Sequence, residues 1–326
     1  MKKILMSVVL IIACLRSFGQ EEKKKFQITG KPIVTVFANY HAGLGNANKE
    51  SGFALDRAYL GYQFSLTEKL SGKVVFDMGS TKVDGADLER VAYLKNAMLS
   101  WKTGDFTLDF GLIGLEQFNV QEKFWGYRYI MKSFQDEYKF GSSADMGILG
   151  KYKFAKWLSA DITISNGEGY KKLNGDNKYR YALGTTLFPV EGLTVRAYYD
   201  IAGKNGDGDG IESQQSLAFF AGYKHKLFYL GAEYNQMFNS KSKKDKDQNG
   251  FSIYSTVKLA DKFDIFGRYD NLASKDDWSS TDGQRILAGI QYSPIKQLKI
   301  APNFSTWNPR DGKSSAFVYL NIEFKL

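Results

Sequence analysis

Phe106-Thr107-Leu108-Asp109-Phe110-Gly111-Leu112 reads as a β-strand, and it runs into LEQFNVQEKFWGYRYIMKSFQDEYKFGSSAD, residues Leu115 to Asp145. This is the longest connection in the chain. Connections beyond about 12–15 residues are uncommon in compact domains unless they serve a function. This one is also dense in aromatic residues, which an idle turn is not. Its role depends on what the strands on either side of it build.

Those strands alternate with period two, the pattern of sheets with two different faces. Ala58, Leu60, Tyr62 and Phe64 oppose Arg57, Tyr59, Gly61, Gln63 and Ser65. Val74, Phe76 and Met78 oppose Lys73, Val75 and Asp77, and Leu158, Ala160, Ile162 and Ile164 oppose Ser159, Asp161, Thr163 and Ser165. Leu193, Val195, Ala197 and Tyr199 oppose Thr194, Arg196, Tyr198 and Asp200. At the end of the chain, Val318, Leu320, Ile322, Phe324 and Leu326 oppose Tyr319, Asn321, Glu323 and Lys325. Alternation alone fits a soluble sandwich, with the apolar face inward, or a membrane barrel, with the apolar face toward lipid.

Connection lengths separate the two. About sixteen strands are predicted, each of roughly 9–12 residues, the length a tilted strand needs to cross a bilayer. Their centres fall near residues 36, 59, 74, 96, 109, 150, 161, 183, 197, 219, 232, 255, 267, 288, 301 and 320. Connections alternate long and short. The long ones are His41 to Gly52, Ser80 to Leu88, Leu115 to Ala144, Asn166 to Asn177, Gly203 to Ser213, Asn239 to Gly250, Asn271 to Gly283 and Asn308 to Ser314. Tight turns such as Thr103-Gly104-Asp105, His225-Lys226 and Ala260-Asp261-Lys262 lie between them. Short turns on one side and long loops on the other mark an outer-membrane barrel with an even strand number. The expected fold is therefore all-β: a transmembrane antiparallel β-barrel of about sixteen strands. Tyr40, Phe64, Tyr152, Phe188, Tyr199, Tyr234, Tyr269, Tyr292 and Phe304 are candidates for the interface girdles. Wall side chains cannot fill a bore of that size. The long third outer loop, 115–144, is expected to fold inward and set its width and charge.

Composition agrees. Gly 32, Tyr 20, Phe 24 and only Pro 5 suit strands, tight turns and girdles, and mean hydropathy is −0.35 with no run long enough for a spanning helix. Residues 1–19 read as a secretory leader: Lys2 and Lys3, an apolar run from Ile4 to Leu15, then Ser17-Phe18-Gly19 before Gln20. Cys14, the single cysteine, lies inside it, and Ile11-Ile12-Ala13-Cys14 faintly resembles a lipoprotein cleavage box. Residues 20–326 form the barrel domain, without a thiol. Its net charge falls from +9 to +6 once Lys2, Lys3 and Arg16 are set aside, and no basic run is dense enough for nucleic acid.

From residue 90 to 150 the chain resembles the phosphate-selective porin O and P family, of the kind found in Bacteroidetes. The resemblance rests on Leu94-Lys95-Asn96-Ala97-Met98-Leu99, Leu108-Asp109-Phe110-Gly111-Leu112-Ile113, Glu116, the aromatic loop through Arg128-Tyr129-Ile130, and Gly147-Ile148-Leu149-Gly150. It implies a trimeric diffusion channel in the outer membrane of a Gram-negative bacterium, general or anion-preferring. Outer-membrane lipid, small hydrophilic solutes or anions such as phosphate, and two further copies of the chain would be its partners, with no cofactor. The chain is short for that family and ends Phe324-Lys325-Leu326, with leucine where an aromatic is usual.

Anion selectivity needs excess positive charge at the narrowest point. The long loop offers Lys123, Arg128, Lys132 and Lys139 against Glu116, Glu122, Asp136 and Glu137. By strand parity the lumen receives Arg57, Lys73, Lys151, Arg180, Arg196, Arg268, Arg285 and Lys299, and equally Asp77, Asp109, Asp161, Asp200, Glu233, Asp264, Asp270 and Glu323. Candidate solute-path residues are Lys123, Arg128, Lys132, Arg57, Lys73, Arg180 and Arg196, with Arg128 and Lys132 at the constriction. Equal numbers also fit a wall of paired charges and weak selectivity. At a Debye length of about 8 Å, wall charge acts mainly where the bore is narrow.

Other chemistry finds little footing. His41, in a predicted outer loop, and His225, in a predicted inner turn, are the two histidines and cannot share a site. The runs starting at Asn205 and Asp245 begin like calcium loops but carry Ser216 and Thr256 where a glutamate is needed. A non-conducting barrel acting as an adhesin or complex partner is the alternative to a channel.

Overall fold

The computed structural model describes residues 27–80, 90–172 and 177–326. The leader expected over residues 1–19, with Cys14, and most of the Ser80–Leu88 connection lie outside the described residues.

Sixteen strands appear among them. The first eight are β1 (Thr29–Leu44), β2 (Ser51–Ser65), β3 (Leu70–Ser80), β4 (Arg90–Thr103), β5 (Phe106–Gly114), β6 (Ala144–Ala155), β7 (Leu158–Ser165) and β8 (Arg180–Leu187). The second eight are β9 (Leu193–Ala202), β10 (Gln215–Lys224), β11 (Phe228–Phe238), β12 (Gln248–Ala260), β13 (Phe263–Ser274), β14 (Gly283–Ile295), β15 (Leu298–Pro309) and β16 (Ser315–Lys325). Each predicted centre falls inside its own strand. Every strand pairs antiparallel with its sequence neighbours, and β1 closes on β16 from Thr35↔Lys325 to Leu44↔Ala316. Closure joins the first strand to the last and leaves no open sheet edge, as hydrocarbon requires of a spanning sheet.

Strand lengths run from 8 residues in β7 and β8 to 16 in β1, a wider range than the 9–12 expected. At the β1–β2 hairpin, pairing continues to Ala42↔Ser51. His41 therefore stands in a strand, opposite Tyr319, and not in an outer loop. The connections sort as expected. Two-residue turns at 104–105, 156–157, 261–262 and 296–297 lie at one end, and connections such as 115–143 and 203–214 at the other.

The faces also separate. Leu60, Ile162, Leu183, Phe219, Ile253 and Leu320 are all exposed, by between 42% and 60%. An apolar surface around a whole barrel is a lipid-facing belt. The opposite face buries Asp77, Asp200, Asn235, Ser252 and Asp270, each 0% exposed. Of the girdle candidates, Tyr40, Tyr152, Phe188, Tyr199, Tyr234 and Phe304 are exposed, while Phe64, Tyr269 and Tyr292 are half-buried. Tyr292 stacks on Phe263 with ring centroids 4.7 Å apart.

Among the register shifts of the described strands, two re-aim charged side chains in the wall. The register slips between Phe37 and Ala38, so Asp56 and Arg57 of β2 both oppose Phe37. It slips again between Val75 and Phe76, which leaves Lys95 of β4 as the extra residue beside Asn96. A bulge re-aims a side chain that strict alternation would turn away. Asp56 thereby reaches Asn39, and Lys95 reaches Tyr59.

Candidate functional site

The polar face is a wall of ion pairs. Arg57 binds Asp77 at 2.7 Å, Lys151 binds Asp109 at 3.0 Å, Arg196 binds Asp161 at 2.6 Å, and Lys299 binds Glu323 at 2.7 Å. Arg268 binds Asp270 at 2.7 Å, and Arg180 pairs with Asp200. Seven of the eight lumen cations inferred from parity thus sit against a carboxylate, the seventh being Arg285, 3.8 Å from Glu137.

Residues 115–143 pack on this face. They contain two short helices, α1 (Asn119–Trp125) and α2 (Phe134–Glu137). Gly126 ends α1 in the left-handed region at φ 78°, where its N–H meets the Glu122 carbonyl at 3.0 Å. A side chain would strain that conformation, and glycine does not. Trp125, Tyr127, Tyr129 and Met131 form one buried cluster with Phe37, Phe220, Tyr254, Phe266 and Leu287 of the wall. Phe134 and Phe140 form a second with Met237 and Leu272. Two wall glycines make room: a Cβ on Gly222 would stand 2.6 Å from the Phe124 ring, and one on Gly250 2.4 Å from the Phe134 ring.

Hydrogen bonds fix the register of the segment on the wall. Arg196 Nη2 donates to the Glu116 carbonyl at 2.9 Å, Arg268 Nη1 to the Lys132 carbonyl at 2.7 Å, and Asn321 Nδ2 to the Tyr129 carbonyl at 3.3 Å. Tyr129 Oη donates to Gln291 at 2.9 Å, Gln135 Nε2 to Asn235 at 2.7 Å, and Tyr138 Oη to Asp270 at 3.0 Å. A neutral hydrogen bond contributes about 0.5–1.5 kcal/mol net. A fully buried large apolar side chain contributes about 1.5–3 kcal/mol. The rings therefore supply most of the attachment, and the hydrogen bonds set where it sits.

These contacts run from β9 round to β16 and β1; on the β2–β6 side Lys151 lies 3.5 Å from Glu116, and Tyr59 packs against the aromatic cluster. Three cavities follow the edge of the segment, the first against β2–β6, the second against β15, β16 and the turn before β15, and the third against β1, β2 and β14–β16. One of about 480 Å³ lies among Lys73, Lys95, Asp109, Glu116, Glu122, Lys123 and Lys151. The next, about 540 Å³, shares Glu122 and Lys123 with it and reaches the Lys296–Gln297 turn. The third, about 330 Å³, shares Arg128 with the second and lies among Asn39, Asp56, Arg57, Lys132, Glu137, Arg285 and Tyr319.

Arg128 is the residue common to the second and third cavities, and its charge is met within its own segment. It lies 3.0 Å from Glu122 and 3.3 Å from Asp136, and Lys132 lies 3.8 Å from Asp136. Burial pushes the Glu122 carboxyl above the usual carboxylate range, against the opposing pull of Arg128. Burial acts the same way on Glu116, but Lys151, the Asn119 amide and Lys123 bring it below that range.

The structure thus separates the seven candidate solute-path residues. Lys123, Arg128 and Lys132 share one edge of the segment with Arg57 and Lys73 across from it. Arg196 is 2% exposed and clamped between Asp161, Thr186 and Glu116, so it ties the segment down and is not open to the cavities' centre. Arg180 is held by Asp200 below the 166–179 connection. Among the described residues, Lys73, Lys95 and Lys123 have no carboxylate within ion-pair distance. Lys95 donates to Tyr59 Oη at 3.1 Å and lies 4.4 Å from its ring centre. Sequence reasoning missed Lys95 and Asp56, because both sit at bulges. It also missed Tyr170, whose hydroxyl leaves the 166–179 connection to bind Asp77 at 2.7 Å.

A closed sixteen-stranded barrel with an apolar outer belt and a charged inner face is the fold of the outer-membrane porins. No protein-family model matches the chain, and no curated protein matches it by sequence. Solved structures do match. The anion-selective porin from Comamonas acidovorans superposes with a TM-score of 0.69 at 11% identity, over 92% of this chain and 100% of that one. OmpT of Vibrio cholerae gives 0.65 at 14%, over 94% and 100%. The outer membrane channel DcaP of Acinetobacter baumannii gives 0.64 at 12%, over 93% and 99%. At such identities the likeness is one of fold.

Proposed function

We propose that the protein is an outer-membrane porin through which small hydrophilic solutes diffuse, with residues 115–143 lying in the bore and narrowing it to a passage along their own edge. The observation that carries this is the series of cavities along the Glu122–Lys123–Arg128 edge, each sharing a lining residue with the next. Its preference is for anions, and it is mild. Most wall charge is paired, and the excess comes from Lys73, Lys95 and Lys123, which surround one cavity with Asn96, Asn119 and Ser71 to solvate an anion. No single dense ring of arginine marks phosphate as the solute. Residues 1–19 act as the export leader. The protomers assemble as a homotrimer, a reading supported by the trimer form described for Vibrio cholerae OmpT and by Phe53, 89% exposed on the outward face beside Tyr40.

The test is single-channel recording of refolded protein in a planar bilayer under a KCl gradient. Stepwise conductance with a reversal potential displaced modestly toward chloride is expected. A folded barrel that never conducts overturns the reading in favour of a binding or adhesion barrel.

A further inference from the structure

Most aromatic side chains on the inner wall are covered. Phe37, Phe220, Tyr254 and Phe266 lie under residues 115–143 and are at most 4% exposed. Three rings nearer the long connections are not covered: His41 on β1 and Phe317 and Tyr319 on β16 are half-buried on the inner face. His41 and Tyr319 are directly opposite in the β1–β16 register. The three ring centres are mutually 5.8–6.3 Å apart and inclined to one another by 37–66°, which makes an angled aromatic platform in a largely charged lumen. Trp307 borders it on β15, backed by Tyr138 at 6.0 Å and by the Arg285 guanidinium at 5.1 Å.

Hydrogen bonding orients the platform and supplies its polar rim. Asn39 Nδ2 donates to Asp56 Oδ2 at 2.7 Å, so Asn39 Oδ1 faces His41 Nδ1 at 3.0 Å as an acceptor. That network places the proton on His41 Nδ1 and leaves Nε2 as an acceptor. Asp56, Asn39, Glu137, Arg285 and Tyr319 line the third cavity, about 330 Å³, which leads to Arg128. Ring faces beside a fan of carboxylate, amide and guanidinium groups suit a solute with one C–H-rich face and hydroxyls round its edge. A pyranose ring has that form. Its polarised C–H groups lie against the electron-rich ring face, and its hydroxyls both donate and accept. The platform crosses two strands and borders a third, a span of roughly 10 Å at the usual strand spacing, which a disaccharide unit covers.

We propose that His41, Phe317 and Tyr319, with Asp56, Asn39 and Glu137 at their edge, form a binding subsite for oligosaccharides of neutral pyranoses at the outer mouth of the bore. The subsite takes Glu137 from the 115–143 segment and its other residues from the wall, and it needs no current to bind sugar, so it is tested separately from conduction.

The experiment is a fluorescence titration of refolded protein with maltohexaose and, separately, cellohexaose, using the signal that Trp307→Phe removes. Saturable change with at least one of the two sugars is expected. In Phe317→Leu and Tyr319→Ala the half-saturating concentration should rise about tenfold or more, equivalent to about 1.4 kcal/mol. Asp56→Asn should raise it less. Heat-dependent electrophoretic mobility verifies that each variant is folded, and Phe317→Leu keeps an apolar side chain should the alanine variant fail to fold. No saturable change with either sugar overturns the proposal, and so does binding that Phe317→Leu leaves unaltered. If the protein conducts, sugar added on the long-loop side should interrupt the current reversibly. A protein that binds sugar without conducting would retain the subsite and refute the porin.

Discussion

Arg268 Nη1 donates to the Lys132 carbonyl at 2.7 Å, joining β13 to the middle of the 115–143 segment. The same guanidinium holds Asp270 through Nε and Nη2, and Asp270 in turn accepts from Tyr138. One buried cation thus fixes the segment from its main chain and from its side chains.

Removing that cation should loosen the segment. Arg268→Met leaves Asp270, 0% exposed, without its partner, and breaking a buried pair from one side costs about 3–5 kcal/mol. Single-channel records should show larger and noisier conductance, with a lower thermal midpoint. Arg268→Met with Asp270→Asn should recover part of the stability, because the Asp270 charge is then no longer stranded.

The glycine seats should act in the same direction without touching charge. Gly222→Leu puts carbon where the Phe220 and Phe124 rings lie, and Gly250→Val where the Asn271 carbonyl and the Phe134 ring lie. Overpacking of this kind costs about 1–3 kcal/mol. The rings should be displaced and protease sensitivity within 115–143 should rise, while the β circular-dichroism signal persists.

Lys73, Lys95 and Lys123 should set ion preference together. Replacing all three with glutamine should move the reversal potential in a KCl gradient to zero or to the cation side. The difference from wild type should be larger at 0.03 M than at 1 M salt, roughly as the Debye length grows from about 3 Å to more than 10 Å. Arg180→Gln with Asp200→Asn, by contrast, should leave selectivity nearly unchanged, because that pair is already neutral.

Acid should increase anion preference through Glu122. Its carboxyl lies above the ordinary value of 4.5 because burial disfavours the charged form, with Arg128 opposing. Protonation therefore begins at a higher pH than for a free carboxylate, and as pH falls Arg128 loses one of its two counter-charges. Glu116 is held below the ordinary value, chiefly by Lys151 against its burial, and stays ionised in that window. Reversal potentials should shift toward chloride as pH drops toward 4.5, and Glu122→Gln should abolish that part of the shift.

The barrel was legible because its physics is periodic. An apolar belt outside and a wet wall inside force period two on every strand, and a membrane-bound chain sorts its turns by length. The same parity placed Arg57, Asp77, Arg196, Asp161 and Arg268 on one face. It did not show that they pair, Arg57 with Asp77 on the adjacent strand, Arg196 with Asp161 across an intervening strand and Arg268 with Asp270 along one strand. Asp56 and Lys95 escaped because each sits at a bulge, which a single sequence does not mark. Tyr170 escaped because its contact with Asp77 comes from a connection whose path no local pattern specifies. Arg128 was legible as a charged residue on an aromatic segment, but its neutralisation by Glu122 and Asp136 required the turn at Gly126.

The most direct test of a passage along the Arg128 edge uses the lack of cysteine after Cys14. Lys95→Cys and Arg128→Cys, each on a leaderless refolded chain, would be treated with a negatively charged methanethiosulfonate during single-channel recording. The passage described here predicts stepwise, irreversible loss of current in both variants and none in the cysteine-free parent. Conducting channels in which both thiols react and the current does not change would contradict it.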